Sequence, residues 1–341
     1  MPDTLLEDAF SYDGWLVFNG LFKTDIDGDE MPDELIEKFE EYEPPEPGEN
    51  AEGYRRTDLD ETLQTTGDLT WELHRLGEKL YSFEYKRTGW KTESGYKNGE
   101  LASFQKEDSK SIKIYWDSDY GLMTFKGRKS WLSRNRKKLR GGLSEDVKLE
   151  ELNFKHDFFL WVLYQNFIGQ GLTSEMSIQR VSTLETTSDS IDNTGQDISI
   201  QDSKNVLRSV PAITAILNSK KPNALECKFV LDNQSVRAKI EQGGKVHVKV
   251  SDSKMADFSD LRRMGISLQF IFELMRQYNI WQRLGPKEKY PPEGFFYDLA
   301  ERAEEEGYEL TGELKRLPEE YKRKREGHED GEGGVFGQSS S

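Results

Sequence analysis

Three groups of residues in this chain have types and spacings that suit chemistry. The densest is Lys126 to Arg140, KGRKSWLSRNRKKLR, in which Lys126, Arg128, Lys129, Arg134, Arg136, Lys137, Lys138 and Arg140 stand with no acidic residue among them. Cations neutralise phosphates, and Tyr115, Trp116, Tyr120, Phe125 and Trp131 supply aromatic faces on which bases stack. The stretch therefore reads as a binding surface for a nucleic acid, DNA or RNA, with Trp131 among its contacts. A competing reading puts Trp116 and Phe125 in a core and leaves the cations on a solvated face or against an acidic segment of the same chain. No RNP, KH or zinc-finger pattern accompanies them.

The second group is Glu226-Cys227-Lys228, within the apolar run ALECKFVLD. An acid and a lysine two residues apart on a strand share one face. Over these three residues the chain resembles the PD-(D/E)xK nucleases, and the resemblance implies a Mg²⁺-holding carboxylate at Glu226 and a lysine at Lys228 that steadies the attacking water. Those enzymes also use an upstream aspartate. The candidates here, Asp197 and Asp202, are separated from Glu226 by a predicted helix, and hairpins follow where that fold expects a helix. The alternative is an ordinary strand with Glu226 and Lys228 outward and Ala224 and Cys227 inward.

The third is DIDGDEMPDELIE, where Asp25, Asp27 and Asp29 occupy the opening positions of a calcium loop. Glu30 replaces its turning glycine and Ile36 its closing glutamate, so the segment reads as an acidic loop before a helix. Among the histidines, His156 is adjacent to Asp157, but on a helix the two point about 100° apart and read as independent surface residues. With Cys227 the one cysteine, neither a disulfide nor a multi-thiolate site is possible. No phosphate-loop, dinucleotide or nucleophile-elbow motif appears, so no cofactor is expected.

Composition sets the frame for these groups. The 341 residues are 35% hydrophobic and 32% charged, and mean hydropathy is -0.80, which leaves a lean core. A net charge of -16 argues against a polyanion partner when taken whole. Residues 1–61, however, hold 20 acidic residues against four basic ones, whereas the remainder carries 43 of each sign. The charge is thus an acidic segment followed by a neutral chain with clustered cations. The longest apolar run, Phe158 to Tyr164, is too short to span a bilayer, and the first residues lack the basic and apolar regions of a signal peptide. A cytoplasmic protein without membrane contact is expected.

The elements that must position these groups follow from periodicity. Residues 14–22 read as one strand, 31–41 as a weak helix, and EYEPPEPGENAEG as a tether. Strands are expected at 69–73, 79–87, 100–106, 111–117 and 121–127, punctuated by Gly89, Gly95, Asn98-Gly99 and Asp119 to Gly121. The basic stretch then forms a helix over 129–140, with Leu132, Leu139 and Trp131 docked and the cations outward. A helix at 153–167 covers this first sheet. Ser182 to Lys204 is polar enough to be a linker. Beyond it come a helix near 205–219, strands at 224–232, 235–242 and 245–251 with turns at Asp232-Asn233 and Gly243-Gly244, and a helix over 257–283.

That last helix carries a ladder at Leu261, Met264, Leu268, Ile271, Met275 and Tyr278 that suits a homodimer or protein partner. Apolar residues on its other sides favour instead a helix buried over a sheet. Charged helices at 294–306 and 314–325 precede a disordered tail, 326–341. The fold expected is α+β, in two lobes of antiparallel strands covered by helices (62–181 and 205–285), with an acidic N-terminal arm (1–61). The function expected is non-enzymatic nucleic-acid binding through 126–140, with the arm competing for that helix. A metal-dependent nuclease and a protein-interaction subunit are the alternatives.

Overall fold

A computed structural model describes residues 14–24, 41–57, 76–128, 130–135, 149–187, 198–201, 205–250, 260–307 and 316–328. Its antiparallel strands and helices make an α+β protein, as the periodicity requires. Two compact units emerge, residues 1–153 with 234–276, and 154–233 with 277–341. The division differs from the one drawn along the sequence, because the chain leaves the first unit and later returns to it.

The N-terminal strand is two strands in the first unit. β1, Leu16–Phe18, and β2, Gly20–Thr24, are separated by Asn19. At that residue the chain passes from one strand array to another. Leu16 lies opposite Val248, on a later strand, while Gly20 lies opposite Phe125. Asn19 holds the crossing, donating its backbone N–H to the Phe125 carbonyl at 2.9 Å and its side-chain amide to the Gly127 carbonyl. A methyl group at Gly20 would lie 2.6 Å from the buried Phe22 ring, so the break is packed too tightly for a larger residue.

The tether inferred from composition is also structured in part. Residues 51–56 form β3, Ala51–Arg56, and Tyr42 is buried with its hydroxyl 2.7 Å from Thr88. β3 pairs with β4, Leu80–Lys97, which pairs along its whole length with β5, Glu100–Asp117. Gly89 and Gly95 therefore lie inside an 18-residue strand and do not end one. At both, a side chain from a neighbouring strand or loop covers the missing Cβ: Asn50 Oδ1 and Phe104 Cε1 would each be 2.9 Å from it. The expected turn at Asn98-Gly99 is present, with φ of 58° and 88°.

β6, Leu122–Lys126, and β7, Leu149–Glu151, flank β2 and complete the order β3-β4-β5-β6-β2-β7. One face of this sheet is an aromatic core of Phe22, Tyr54, Phe83, Tyr85, Ile112, Ile114, Trp116, Met123 and Phe125. Tyr115, on the other side of β5, is buried against Phe18.

In the second unit, α1, His156–Phe167, packs on β8, Met176–Thr187, and β10, Lys221–Leu231. It does not cover the first sheet. Part of the polar tract is strand: β8 runs to Thr187 and pairs with β9, Ile198–Gln201. Val181, Leu184 and Thr186 are buried there, since alternating β-branched and apolar residues suffice for a pleated face even in a polar sequence. Residues 188–197 and 202–204 lie outside the described residues. A short 3₁₀ turn precedes α2, Val210–Leu217, and further on come α4, Pro286–Lys289, α5, Glu293–Glu305, and α6, Arg316–Arg325.

The intervening elements are β11, Gln234–Glu241, β12, Val246–Val250, and α3, Asp260–Arg283. In α3, Met264, Leu268, Ile271, Met275 and Tyr278 are buried along with Ile266, Phe270 and Leu274. The ladder is consumed inside the chain, which is the buried-helix reading. Among the described residues no helix is long and apolar enough to cross a membrane. The expected helix at 31–41, apart from Glu41, the strand at 69–73 and the tail beyond 328 lie outside the described residues.

The β11–β12 turn uses Gly244 at φ 71°, where a Cβ would meet the Leu152 carbonyl at 2.5 Å. It also brings Glu241 within 3.0 Å of His247 Nε2 and 3.3 Å of Lys245 Nζ. The His247 hydrogen bond, then Lys245, outweigh partial burial and lower the carboxyl from 4.5 to about 2. A carboxyl held below its unfolded value adds stability above about pH 4.5 and loses it as the pH falls toward 2. Glu241→Gln should therefore be less stable than the parent at neutral pH, with urea midpoints that converge across that acid window.

Candidate functional site

The basic stretch is seated by two apolar side chains. The Arg128 carbonyl accepts from the amides of Trp131 and Leu132, each at 2.9 Å, and opens a helical turn over 130–135. Trp131 is only 9% exposed and stacks on Tyr85 with ring centroids 5.5 Å apart. Leu132 is buried in the same cluster, and the Asn135 side chain donates back to the Trp131 carbonyl at 2.8 Å. Trp131, expected as a contact residue, thus anchors the segment in the core, and Arg128 and Arg134 remain exposed. Trp116, Phe125 and Tyr115 are likewise core residues, while Tyr120 is exposed. Lys129, Arg136, Lys137, Lys138, Leu139 and Arg140 lie outside the described residues.

Lys126 belongs to the sheet. It ends β6 opposite Lys113, which lies opposite Glu84, which lies opposite Arg55, giving a charged row across four strands. Arg55 and Glu84 form a 2.6 Å ion pair. Burial, followed by the Lys126 charge, pushes the Lys113 ammonium down to about 8, and burial lowers Lys126 as well.

Further cations join Trp131 from β4 and β5, and no local pattern of residues marks them. Arg87 lies opposite Lys110, Gly89 opposite Asp108 and Lys91 opposite Lys106. Because alternate residues share a face, Arg87, Lys91, Asp108 and Lys110 continue the face on which Tyr85 and Ile112 are buried. Together with Trp90 and Trp131 they line a cleft of about 230 Å³. Asp108 accepts from Lys91 at 2.7 Å and from Lys110 at 3.1 Å, and these two hydrogen bonds lower its carboxyl. Arg87 is also paired with Glu52 at 3.8 Å, so three cations against two carboxylates leave the cleft positive by one charge. Only the β4–β5 register, set over many residues, reveals this grouping.

Glu226 and Lys228 sit on one half-exposed face of β10, and Cys227 is fully buried, so that burial pushes its thiol up. Glu226 lies opposite Thr183, whose hydroxyl donates to it at 3.5 Å, and Lys228 lies opposite Arg180. Among the described residues no group of three or more His, Cys, Asp or Glu side chains is placed to hold a metal ion. Asp197 and Asp202, and the acidic loop with Asp25, Asp27 and Asp29, lie outside them.

His156 and Asp157 are not independent surface residues. Asp157 is buried, accepts a hydrogen bond from the Tyr321 hydroxyl, and sits 3.3 Å from Lys324 and 3.4 Å from His156 Nε2. Burial and the Asp157 charge push the Tyr321 phenol up and keep it a donor. Burial alone would lower Lys324, but Asp157 and Glu320 raise it. Residues more than 160 positions apart in sequence thereby pin α6 to α1.

Neither a known protein family nor a curated protein matches this chain.

Asp157→Ala leaves Lys324 largely buried with Glu320 as its remaining carboxylate partner among the described residues, and should cost about 3 kcal/mol in urea unfolding. Tyr321→Phe removes one hydrogen bond and should cost about 1 kcal/mol. Equal effects would mean that the carboxylate does not carry the network.

Proposed function

We propose that the protein binds nucleic acid without chemistry, using the basic stretch 126–140 together with the cations of the β4–β5 cleft. The observation that carries the reading is the junction at Trp131. The same side chain that docks the helical turn also forms a wall of the cleft lined by Arg87, Lys91 and Lys110. Cations from two parts of the sequence are thereby supported by one rigid sheet, a pattern suited to tracking a phosphate backbone. Arg128 and Arg134 supply further exposed charge. A cytoplasmic location accords with the single, buried Cys227.

The acidic arm enters as a competitor for the same cations. It is not a simple tether, because β1, β2 and β3 are paired strands, so deletion of 1–61 would remove part of the fold. Charge neutralisation in place is the appropriate perturbation.

Binding is measured by fluorescence anisotropy with labelled single- and double-stranded DNA and RNA at low salt. Changing Arg134, Arg136, Lys137 and Lys138 together to Ser should weaken binding by about 10-fold or more and reduce the salt dependence by roughly 0.9 per lost duplex phosphate contact. Arg87→Ser with Lys110→Ser should weaken it in the same direction. The combination Asp25→Asn, Asp27→Asn, Asp29→Asn and Glu30→Gln should tighten it. Unchanged affinity in the fourfold Ser variant would refute the interface, and unchanged affinity on neutralising the loop would refute the competition.

A further inference from the structure

The outer part of the β4–β5 ribbon extends past its neighbours in the sheet. β3 pairs with β4 only as far as Thr88, and β6 pairs with β5 only from Lys113 onward, so among the described residues 100–106 pair with β4 alone. In an antiparallel strand alternate residues turn their N–H and C=O groups away from the existing partner, and the free side of β5 is therefore a template for another strand. Leu101 is 70% and Phe104 49% exposed along it. Proteins commonly block such an edge with proline or with charges along its length. The segment 100–106, ELASFQK, has no proline, and its two charges, Glu100 and Lys106, stand at its ends.

Those two charges are opposite in sign and equally far from Ser103. Two copies of the strand, antiparallel about a two-fold axis at Ser103, therefore set Glu100 of each opposite Lys106 of the other. Between these ends Ala102 faces Phe104 of the second copy, Leu101 faces its Gln105, and Ser103 meets its own equivalent. The match is specific to this register. Moving the axis to Phe104 sets Glu100 opposite Asp108, a like-charge contact, and moving it to Ala102 sets Glu100 opposite Phe104 and removes both ion pairs. Lys106 also bridges Glu93 of its own chain at 3.3 Å, but both side chains are exposed, and an ammonium has three donors with which to reach a second carboxylate.

From this self-complementary edge we infer that the protein forms a two-fold dimer by pairing β5 with β5 of a second copy over 100–106. The two ribbons become one four-stranded sheet, which a lone two-stranded ribbon needs for stability of its own. A single strand edge offers fewer residues than the roughly 20–30 a side of a standard interface, so the dimer is a weak one, forming between about 1 μM and 1 mM. The segment lies outside the basic stretch, and the dimer forms without nucleic acid.

The test is sedimentation equilibrium of the full chain in the absence of nucleic acid. The weight-average mass should rise from the 39.4 kDa of one chain toward twice that value over this concentration range. Glu100→Lys and Lys106→Glu should each weaken the dimer by about tenfold or more, because both end contacts become repulsive. An equimolar mixture of the two variants should dimerise again, since every end contact is then between opposite charges, a recovery that misfolded variants do not produce. Ser103→Cys should form a disulfide-linked dimer on mild oxidation, as Cα atoms directly opposite at ~5.5 Å lie within disulfide range. Leu101→Cys, also exposed, should not, because its two copies are offset by about 13 Å along the strands. The other cysteine, Cys227, is buried. A mass that stays at that of one chain, a dimer unaffected by either charge reversal, a mixture that fails to dimerise, or cross-linking of Leu101→Cys as efficient as that of Ser103→Cys would each overturn the inference.

Discussion

The β4–β5 register is the constraint on which the first unit depends. It runs from Leu80 opposite Asp117 to Lys97 opposite Glu100 without a bulge. A one-residue slip would send Phe83 and Tyr85 to the opposite face and take the ring on which Trp131 stacks with them. The aromatic core, the seat of the basic segment and the grouping of Arg87, Lys91, Asp108 and Lys110 are consequences of that single alignment. Towards the tip of the ribbon the same register leaves Tyr96 81% and Leu101 70% exposed, facing each other.

The second unit depends on a different kind of bond. Its helices α1 and α6 are joined at a buried carboxylate that is satisfied by a phenol and an ammonium. Burying Asp157 without both partners would cost several kcal/mol, so the network selects one docking of α6 on α1 over near alternatives. Aromatic contacts such as Phe296 of α5 on Tyr321, with ring centroids 5.0 Å apart, add non-directional packing on another side of α6.

Along the sequence charge is a property of segments, and the fold redistributes it. Part of the acidic N-terminal stretch is built into strands, where Glu52 faces Arg87 at 3.8 Å. Lys126, one of the eight cations of the basic run, belongs to a charged row across the sheet, and cations that were dispersed in sequence gather at the cleft. Surface ion pairs of this sort contribute little to stability individually, but their positions decide where an excess of one sign remains.

The sequence by itself determined the class and many of the elements. Period-two alternation marked β10, β11 and β12, Asp232-Asn233 marked the β10–β11 turn and Asn98-Gly99 the β4–β5 turn, and an apolar surround marked α3 as buried. These are local properties, legible within a window of a few residues. Only the tertiary structure decided that 14–24 breaks at Asn19 to serve two arrays, that Gly89 and Gly95 lie within a strand, that part of the polar tract is β8 and β9, and that His156 and Asp157 face Tyr321 and Lys324. Each of those depends on a partner far along the chain: Val248 for Leu16, Asn50 for Gly89, Phe125 for Gly20, Tyr321 for Asp157. Local periodicity fixes which face a side chain takes; which distant surface meets that face is set by long-range packing, and no short stretch of sequence contains it.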